Sequence, residues 1–269
     1  MHSEYKSFIH TRIMRKKIIS LIAFICATVS AVNTVYSQEK RTVELSAQEI
    51  LARMDEILRY PKGALSGSIT HIYPDGKSFT IFLKGNIADE DYLFVVSSSE
   101  RGDQFKVLYN LGGEDIWVYN IASLQLFHKI DIDKYDPLLA TNFSFIDLSN
   151  ADYQANYNAK IEGESIIKGK ECFKLKLEPI FKKGDYGNLV AFVSKSDFIP
   201  MKIDYYDQDR VIIKSMSVAQ VAQYAGKNFP VRYDMLNVKS GTLSIMKFFN
   251  VDSSVSFKKE IFRHQLLGQ

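Results

Sequence analysis

Apolar residues recur along this chain at two different spacings. Between Ser46 and Tyr60 they follow a three-and-four rhythm: Ala47, Ile50, Leu51, Met54, Ile57 and Leu58. That rhythm puts them on one stripe of a helix. Ser46 and Glu49 have the S-x-x-E spacing of a capping box, and Pro61 and Gly63 stop the run. The spacing therefore predicts an amphipathic helix over 46–60 that must bury its stripe.

After this the period falls to two, the period of a strand. ALSGSITHIY turns at Pro74-Asp75-Gly76 into KSFTIFLKGN, a predicted hairpin. DYLFVVSSS, QFKVLYN and EDIWVYN follow, with a further strand from Leu124. Asp136-Pro137 breaks the pattern, and 137–150 reads as loop with a short helix. Strand-like runs resume at NAKIEGESIIKG, ECFKLKLEP, NLVAFVS, PMKIDYYD, RVIIKSMSVAQVAQY, FPVRYDMLNVKS and TLSIMKFFNV. KEIFRHQLL reads as a last helical turn. About a dozen short strands and one long helix predict a mainly β fold with a large antiparallel sheet. No Gly/Pro/Ser-rich linker divides the chain, so a single domain is expected.

The strand faces differ between the halves. In ECFKLKLEP, Phe173, Leu175 and Leu177 point one way and Lys174 and Lys176 the other, with Cys172 on the lysine side. That is a sheet with water on one face. The earlier strands are apolar on both faces. Ile116 and Val118 oppose Trp117 and Tyr119, and Tyr92, Phe94 and Val96 oppose Leu93 and Val95. One helix stripe does not cover so much surface, so an apolar cavity is expected. The Trp117/Tyr119 face is assigned to it.

Residues 1–37 are expected to be an export signal. Met14-Arg15-Lys16-Lys17 is a basic start, IISLIAFICA a short apolar run, and VYSQ a cleavage region. Cleavage is expected after Ser37, with Ala31 the second choice, and Met14 is an alternative start. The apolar run is short for a membrane span. This segment changes the charge argument. It holds five Lys/Arg and one Glu, a charge of +4, against +3 for the whole chain, so the remainder is near −1. The basic balance is then no argument for nucleic acid. Cys26 lies in the expected leader and Cys172 stands alone after it, so no disulfide within the exported chain is expected.

Composition yields no catalytic constellation. There is no G-x-S-x-G, H-E-x-x-H, P-loop or dinucleotide fingerprint. His71, His128 and His264 are far apart in sequence, so no metal or cofactor is expected. Ser165-x-x-Lys168 lies in a predicted strand, and Cys172 has no nearby His. Arg101-Gly102-Asp103 reads as a turn, and Asn142-Phe143-Ser144 fits a glycosylation acceptor. The remaining signal is aromatic: 18 Phe and 15 Tyr.

The order of features resembles the outer-membrane lipoprotein-sorting proteins, the LolA-like periplasmic carriers. The resemblance covers roughly residues 45–267. It rests on SAQEILARMDEIL and on Asp115-Ile116-Trp117-Val118-Tyr119-Asn120, close to the family's G-x-x-x-W-x-Y-x-P hairpin. It rests also on Asn142-Phe143-Ser144-Phe145-Ile146-Asp147-Leu148, on Ile199 to Asp207, and on Pro230 to Met235. The departures are Ile121 where the family has Pro, and Thr141-Asn142 where it has Ser-Asp. Lys84-Gly85 is the candidate for the family's basic strand-end motif.

The resemblance implies a curved sheet forming an incomplete, half-open β-barrel over residues 38–269, closed by helices around an acyl-chain cavity. The expected lining is Leu83, Phe94, Phe105, Trp117, Tyr119, Leu126, Phe143 and Phe145. The expected lid is Ile50, Leu51, Met54 and Leu58, moving together with 137–150. It further implies a monomeric periplasmic carrier, not an enzyme. Such a carrier takes lipoprotein or lipid acyl chains from an inner-membrane donor complex to an outer-membrane acceptor. A second reading keeps the same apolar face but docks a protein there, as an envelope-stress sensor or scaffold.

Overall fold

The computed structural model describes residues 45–269, apart from 99, 101, 103, 150, 151, 182, 183 and 225. The expected leader, both cleavage positions, and Arg101 and Asp103 lie outside the described residues.

Helix α1 spans Ala47–Leu58, and its capping box forms as the spacing predicts. The Glu49 amide donates to Ser46 Oγ at 3.2 Å, and the Ser46 amide donates to Glu49 Oε2 at 2.8 Å. The helix stops two residues earlier than expected. Arg59 is already extended, and the residue before Pro61 is disfavoured in helical conformation. Ile50, Leu51, Met54 and Leu58 are buried as the stripe requires, and the same turn of the helix buries Asp55.

Thirteen strands follow. They are β1 Gly63–Ile72, β2 Ser78–Ala88, β3 Asp91–Ser98, β4 Gln104–Asn110, β5 Asp115–Asn120, β6 Gln125–Lys129 and β7 Tyr157–Ile167. After them come β8 Lys170–Pro179, β9 Leu189–Ser194, β10 Pro200–Tyr206, β11 Ile212–Tyr224, β12 Lys227–Asn237 and β13 Leu243–Asp252. They make one antiparallel sheet in the order 6-5-4-3-2-1-13-12-11-10-9-8-7. The sheet does not close: β6 and β7 are its two edges. This is the mainly β, half-open architecture expected.

The strand order dictates the rest. The chain steps outward from β1 to β6, must then reach the opposite edge, and returns from β7 to β13, which pairs with β1. That closing pair starts at Ala64, opposite Asp252, just after Gly63, whose φ is +121° and where a Cβ would lie 2.1 Å from the Asp252 carbonyl oxygen. Only glycine fits there. The connection from β6 to β7 crosses one face of the sheet. It carries short 3₁₀ turns at Leu138–Ala140 and Ile146–Leu148, and a four-residue helix α2, Tyr153–Asn156.

Register shows which side chains share that inner face. Ile69 pairs with Ile81, Leu83 with Val96, Phe94 with Val107, and Val107 with Val118. All of these are buried. Phe105 lies opposite Val96 and joins them. Trp117 pairs with Leu108, and Tyr119 with Lys106 and Leu126, on the outer face. This corrects the expected assignment: Trp117, Tyr119 and Leu126 point away from the face that carries Phe94 and Val107. Both faces of β3–β5 are apolar because two different segments cover them. The outer face is covered by the C-terminal segment, where Leu108, Tyr119, Phe262 and Leu267 form a cluster with Leu93, Trp117 and Ile261. That tail folds as 3₁₀ turns, Lys259–Phe262 and His264–Leu266.

Cys172 is also corrected. It keeps the outward parity of the lysines yet is fully buried, opposite Ser194 near the end of β9. Burial pushes its thiol pKa up, away from a nucleophile.

Candidate functional site

The inner face is aromatic in its N-terminal half. Tyr92 and Tyr109, paired across β3 and β4, stack with centroids 4.6 Å apart. Tyr60 follows α1 and drops into this surface. Its ring makes edge contacts with Tyr92 at 5.6 Å, Phe94 at 5.5 Å, Phe248 at 5.7 Å and Phe229 at 6.2 Å. Its hydroxyl donates to the Leu148 carbonyl at 3.3 Å, so the same side chain touches sheet and connection. The Tyr109 hydroxyl likewise donates to the Phe145 carbonyl at 3.0 Å.

The connection 137–149 covers this surface and buries Leu138, Phe143, Phe145 and Leu148. It meets α1 at a cavity of about 30 Å³, lined in part by Leu58, Tyr60, Phe143, Tyr153, Met216 and Tyr233. That is about the room of one water molecule. At this junction the inner face is packed by the protein's own side chains.

Polar side chains fasten the connection. Asn142 is held at every side-chain group: Nδ2 donates to the carbonyls of Met235 (2.9 Å) and Thr242 (2.8 Å), and Oδ1 accepts from Thr242 Oγ1. Its own amide donates to Ser244 Oγ, which also contacts His71 Nδ1. With both amide hydrogens engaged, the folded chain does not offer Asn142 as a glycosylation acceptor.

Asp147 forms the second fastening. It meets Lys214 of β11 at 2.5 Å, with both side chains nearly free of solvent. Asp147 Oδ2 also accepts from the Ser144 amide (2.8 Å) and hydroxyl (2.7 Å), and Tyr186 Oη donates to Oδ1 at 3.0 Å. Lys214 Nζ donates to Tyr186 Oη and lies 4.4 Å and 5.1 Å from the ring centres of Tyr186 and Tyr205. Desolvation lowers the Lys214 pKa, and Asp147 opposes that fall. Burial pushes the Tyr186 and Tyr205 hydroxyls well up. A buried ion pair is tolerated when its remaining donors and acceptors find partners; Asp147 takes three further donors, and Lys214 adds Tyr186 Oη and two ring faces.

A third link joins α1 to α2. Asp55 Oδ2 accepts from the Gln154 amide at 2.8 Å, while Oδ1 is buried without a hydrogen-bond partner. Burial raises the Asp55 pKa to about 7.

The expected site is thus brought together in part. Leu83, Phe94 and Phe105 lie on the inner face, Phe143 and Phe145 on the lid connection, and the α1 residues beside it. Trp117, Tyr119 and Leu126 are elsewhere. Trp117 lies between two imidazoles, His128 at 4.0 Å and His264 at 4.1 Å, both nearly parallel to it, and its Nε1 donates to Asp115. Two histidines far apart in sequence therefore meet on the outer face, as aromatic partners. Sequence reasoning missed Tyr60, Tyr92, Tyr109, Lys214 and Asp147. Tyr92 was in phase with Phe94, and Lys214 in phase with Met216 and Val218, where a charge on an inward position was the readable signal. Among the described residues, no three His, Cys, Asp or Glu side chains converge into a metal-binding group, and no helix is long and apolar enough to cross a membrane.

Solved structures share this architecture. A protein described as an outer membrane lipoprotein-sorting domain, from Vibrio parahaemolyticus, matches with a TM-score of 0.72 and 17% identity, over 83% of this chain and 98% of its own. A LolA superfamily protein from Nitrosomonas europaea matches at 0.69 and 19%, over 82% and 98%. A DUF1329 family protein from Desulfovibrio piger matches at 0.68 and 20%, over 82% and 97%. None of the curated proteins matches the chain. These likenesses establish a LolA-type fold. A family model described as an uncharacterized protein matches residues 88–269, two thirds of the sequence, and the chain belongs to that family.

Proposed function

We propose that this protein is a periplasmic carrier that holds acyl chains of lipoproteins or lipids between the inner face of the sheet and its lid. Residues 1–37 act as the export signal. The chains come from an inner-membrane donor and leave to an outer-membrane acceptor, with no bond made or broken. The observation that carries the reading is the nature of the cover. A wide aromatic face is closed by an irregular connection fastened through a few polar side chains, rather than by a second sheet or helical layer.

Energetics support a lid that yields. Burying an acyl chain gains about 0.8 kcal/mol per CH₂, far more than a cavity of about 30 Å³ can realise. Entry therefore requires 137–149 and α1 to move, and chains then replace Phe143, Phe145 and Leu58 against Leu83, Phe94, Phe105 and Tyr60. Returning those side chains to the sheet opposes binding, so the load stays releasable to a tighter acceptor.

The test is direct. Protein expressed from the full reading frame and recovered from the envelope is extracted for mass spectrometry, and the emptied protein is titrated with a fluorescent fatty acid. Acylated material in the extract and saturable titration are expected. A protein that yields none and does not titrate is not a lipid carrier.

A further inference from the structure

An open sheet has two edges, and soluble proteins normally guard both. Here they are guarded unequally. β7 presents Lys160, Glu162 and Glu164, has a register slip between Ile161 and Gly163, and ties two of its acids to Lys174 and Lys195. β6 pairs with β5 in unbroken register and has no proline. Among the described residues no strand pairs with its outer side. It exposes apolar side chains on both faces, Leu126 on one and Phe127 (46% exposed) on the other, with Leu124 (73%) in the turn before it and Ile130 and Ile132 just beyond. The residues that would guard it are turned away. Lys129 pairs with Asp136 at 2.7 Å, and His128 stacks on Trp117.

We infer that β6 is a self-association edge, pairing antiparallel with β6 of a second copy about a two-fold axis through Phe127. The sequence selects the occupant and the register. With Phe127 on the axis, Leu124 faces Ile130, Leu126 faces His128, and Gln125 faces Lys129. Apolar residues meet, and no like charges are opposed. Shifting the axis to Leu126 puts Leu124 opposite His128 and Ser123 opposite Lys129. Shifting it to His128 opposes two imidazoles and sets Phe127 against Lys129. A two-fold contact must complement itself, and of these three registers the Phe127 one sets Phe127 on Phe127 and Leu124 by Ile130, keeps the two His128 apart and opposes no like charges. The dimer departs from the monomer expected from the sequence. One short strand buries less than the roughly 1,000 Å² of a stable interface, so the association is weak and concentration-dependent.

Full-length protein is prepared with Cys26→Ser and Cys172→Ala, with Phe127→Cys added in one variant. Across an antiparallel pair, two residues on the axis have Cα atoms about 4.5–5.5 Å apart, inside the range a disulfide spans. Phe127→Cys is expected to form a disulfide dimer under mild oxidation. Val211→Cys, also exposed but on the turn between β10 and β11, is expected to stay monomeric. Sedimentation of the parent protein should show a dimer growing with concentration, and Phe127→Lys should abolish it. A parent that stays monomeric while Phe127→Cys does not cross-link overturns the inference. So does a dimer that Phe127→Lys leaves intact.

Discussion

Replacing Lys214 by methionine isolates what the lid fastening contributes. The side chain keeps its length and loses its charge, leaving the Asp147 carboxylate 5% exposed and without its cation. Removing one partner of a buried pair costs about 3–5 kcal/mol, because the other charge remains desolvated. Asp147 keeps three donors, the Ser144 amide and hydroxyl and the Tyr186 hydroxyl, which places the cost near the lower end. That penalty applies only while 137–149 lies on the sheet. An open lid returns Asp147 to water. The variant should therefore raise the open population on the order of 10²-fold, and tighten apparent fatty-acid affinity by a similar factor if the open form is the one that binds.

Hydrogen exchange of peptides covering 137–149, with a fatty-acid titration beside it, measures both effects. Lys214→Met combined with Asp147→Leu removes both charges and should close the lid again, since an apolar replacement of a buried pair is often neutral or better. If Lys214→Met lowers global stability while exchange in 137–149 stays at the parental rate, the pair supports the whole sheet. The lid argument then fails.

Three further outcomes are expected. Burial pushes the Asp55 carboxyl up to about 7, against 3.8 for a carboxyl in water. Its contribution is present below the lower value and lost as pH rises through about 7. Chemical denaturation should show Asp55→Asn gaining stability relative to the parent between pH 5 and 8, by at most about 3–4 kcal/mol; a pH-independent difference would contradict the burial argument. Trp117, the sole tryptophan, faces the C-terminal segment, so its emission should ignore lipid binding yet shift on His264→Ala. A lipid-dependent shift without tail movement would place the ligand on the outer face. Gly63→Ala should lower the melting temperature markedly, through the collision with the Asp252 carbonyl and the φ of +121°, and a melting curve like the parent's would refute the steric reading.

Much of the fold was legible because its local signals agree. The capping box of α1, the hairpin turn at Pro74-Asp75-Gly76 and the period-two runs each specify a local structure that packing did not overrule. The sheet's order was not readable from those runs, since pairing β1 with β13 joins strands about 180 residues apart. The lid fastening was half readable. Asp147 belongs to the quoted Asn142–Leu148 segment, but its cation lies 67 residues later, on a strand whose pattern otherwise reads as ordinary core.

The misplaced Trp117 face shows why alternation alone stops short. Period two establishes that Ile116 and Val118 oppose Trp117 and Tyr119, and the structure keeps that opposition. It does not say which side is inner, because both sides are apolar. The sign is set by segments distant in sequence. Lys106 donates to the carbonyls of Leu267 and Gln269, Asn110 to that of Phe262, and His264 stacks on Trp117. Those contacts fix the C-terminal segment on the Trp117 side and leave the Ile116 side to the 137–149 connection. Apolarity on both faces of a strand therefore signals two covers, and the size of a side chain does not tell which cover lies on which side. On β5 the aromatics Trp117 and Tyr119 lie under the tail, while the 137–149 connection meets the other face at Tyr109, beside Phe94 and Tyr60.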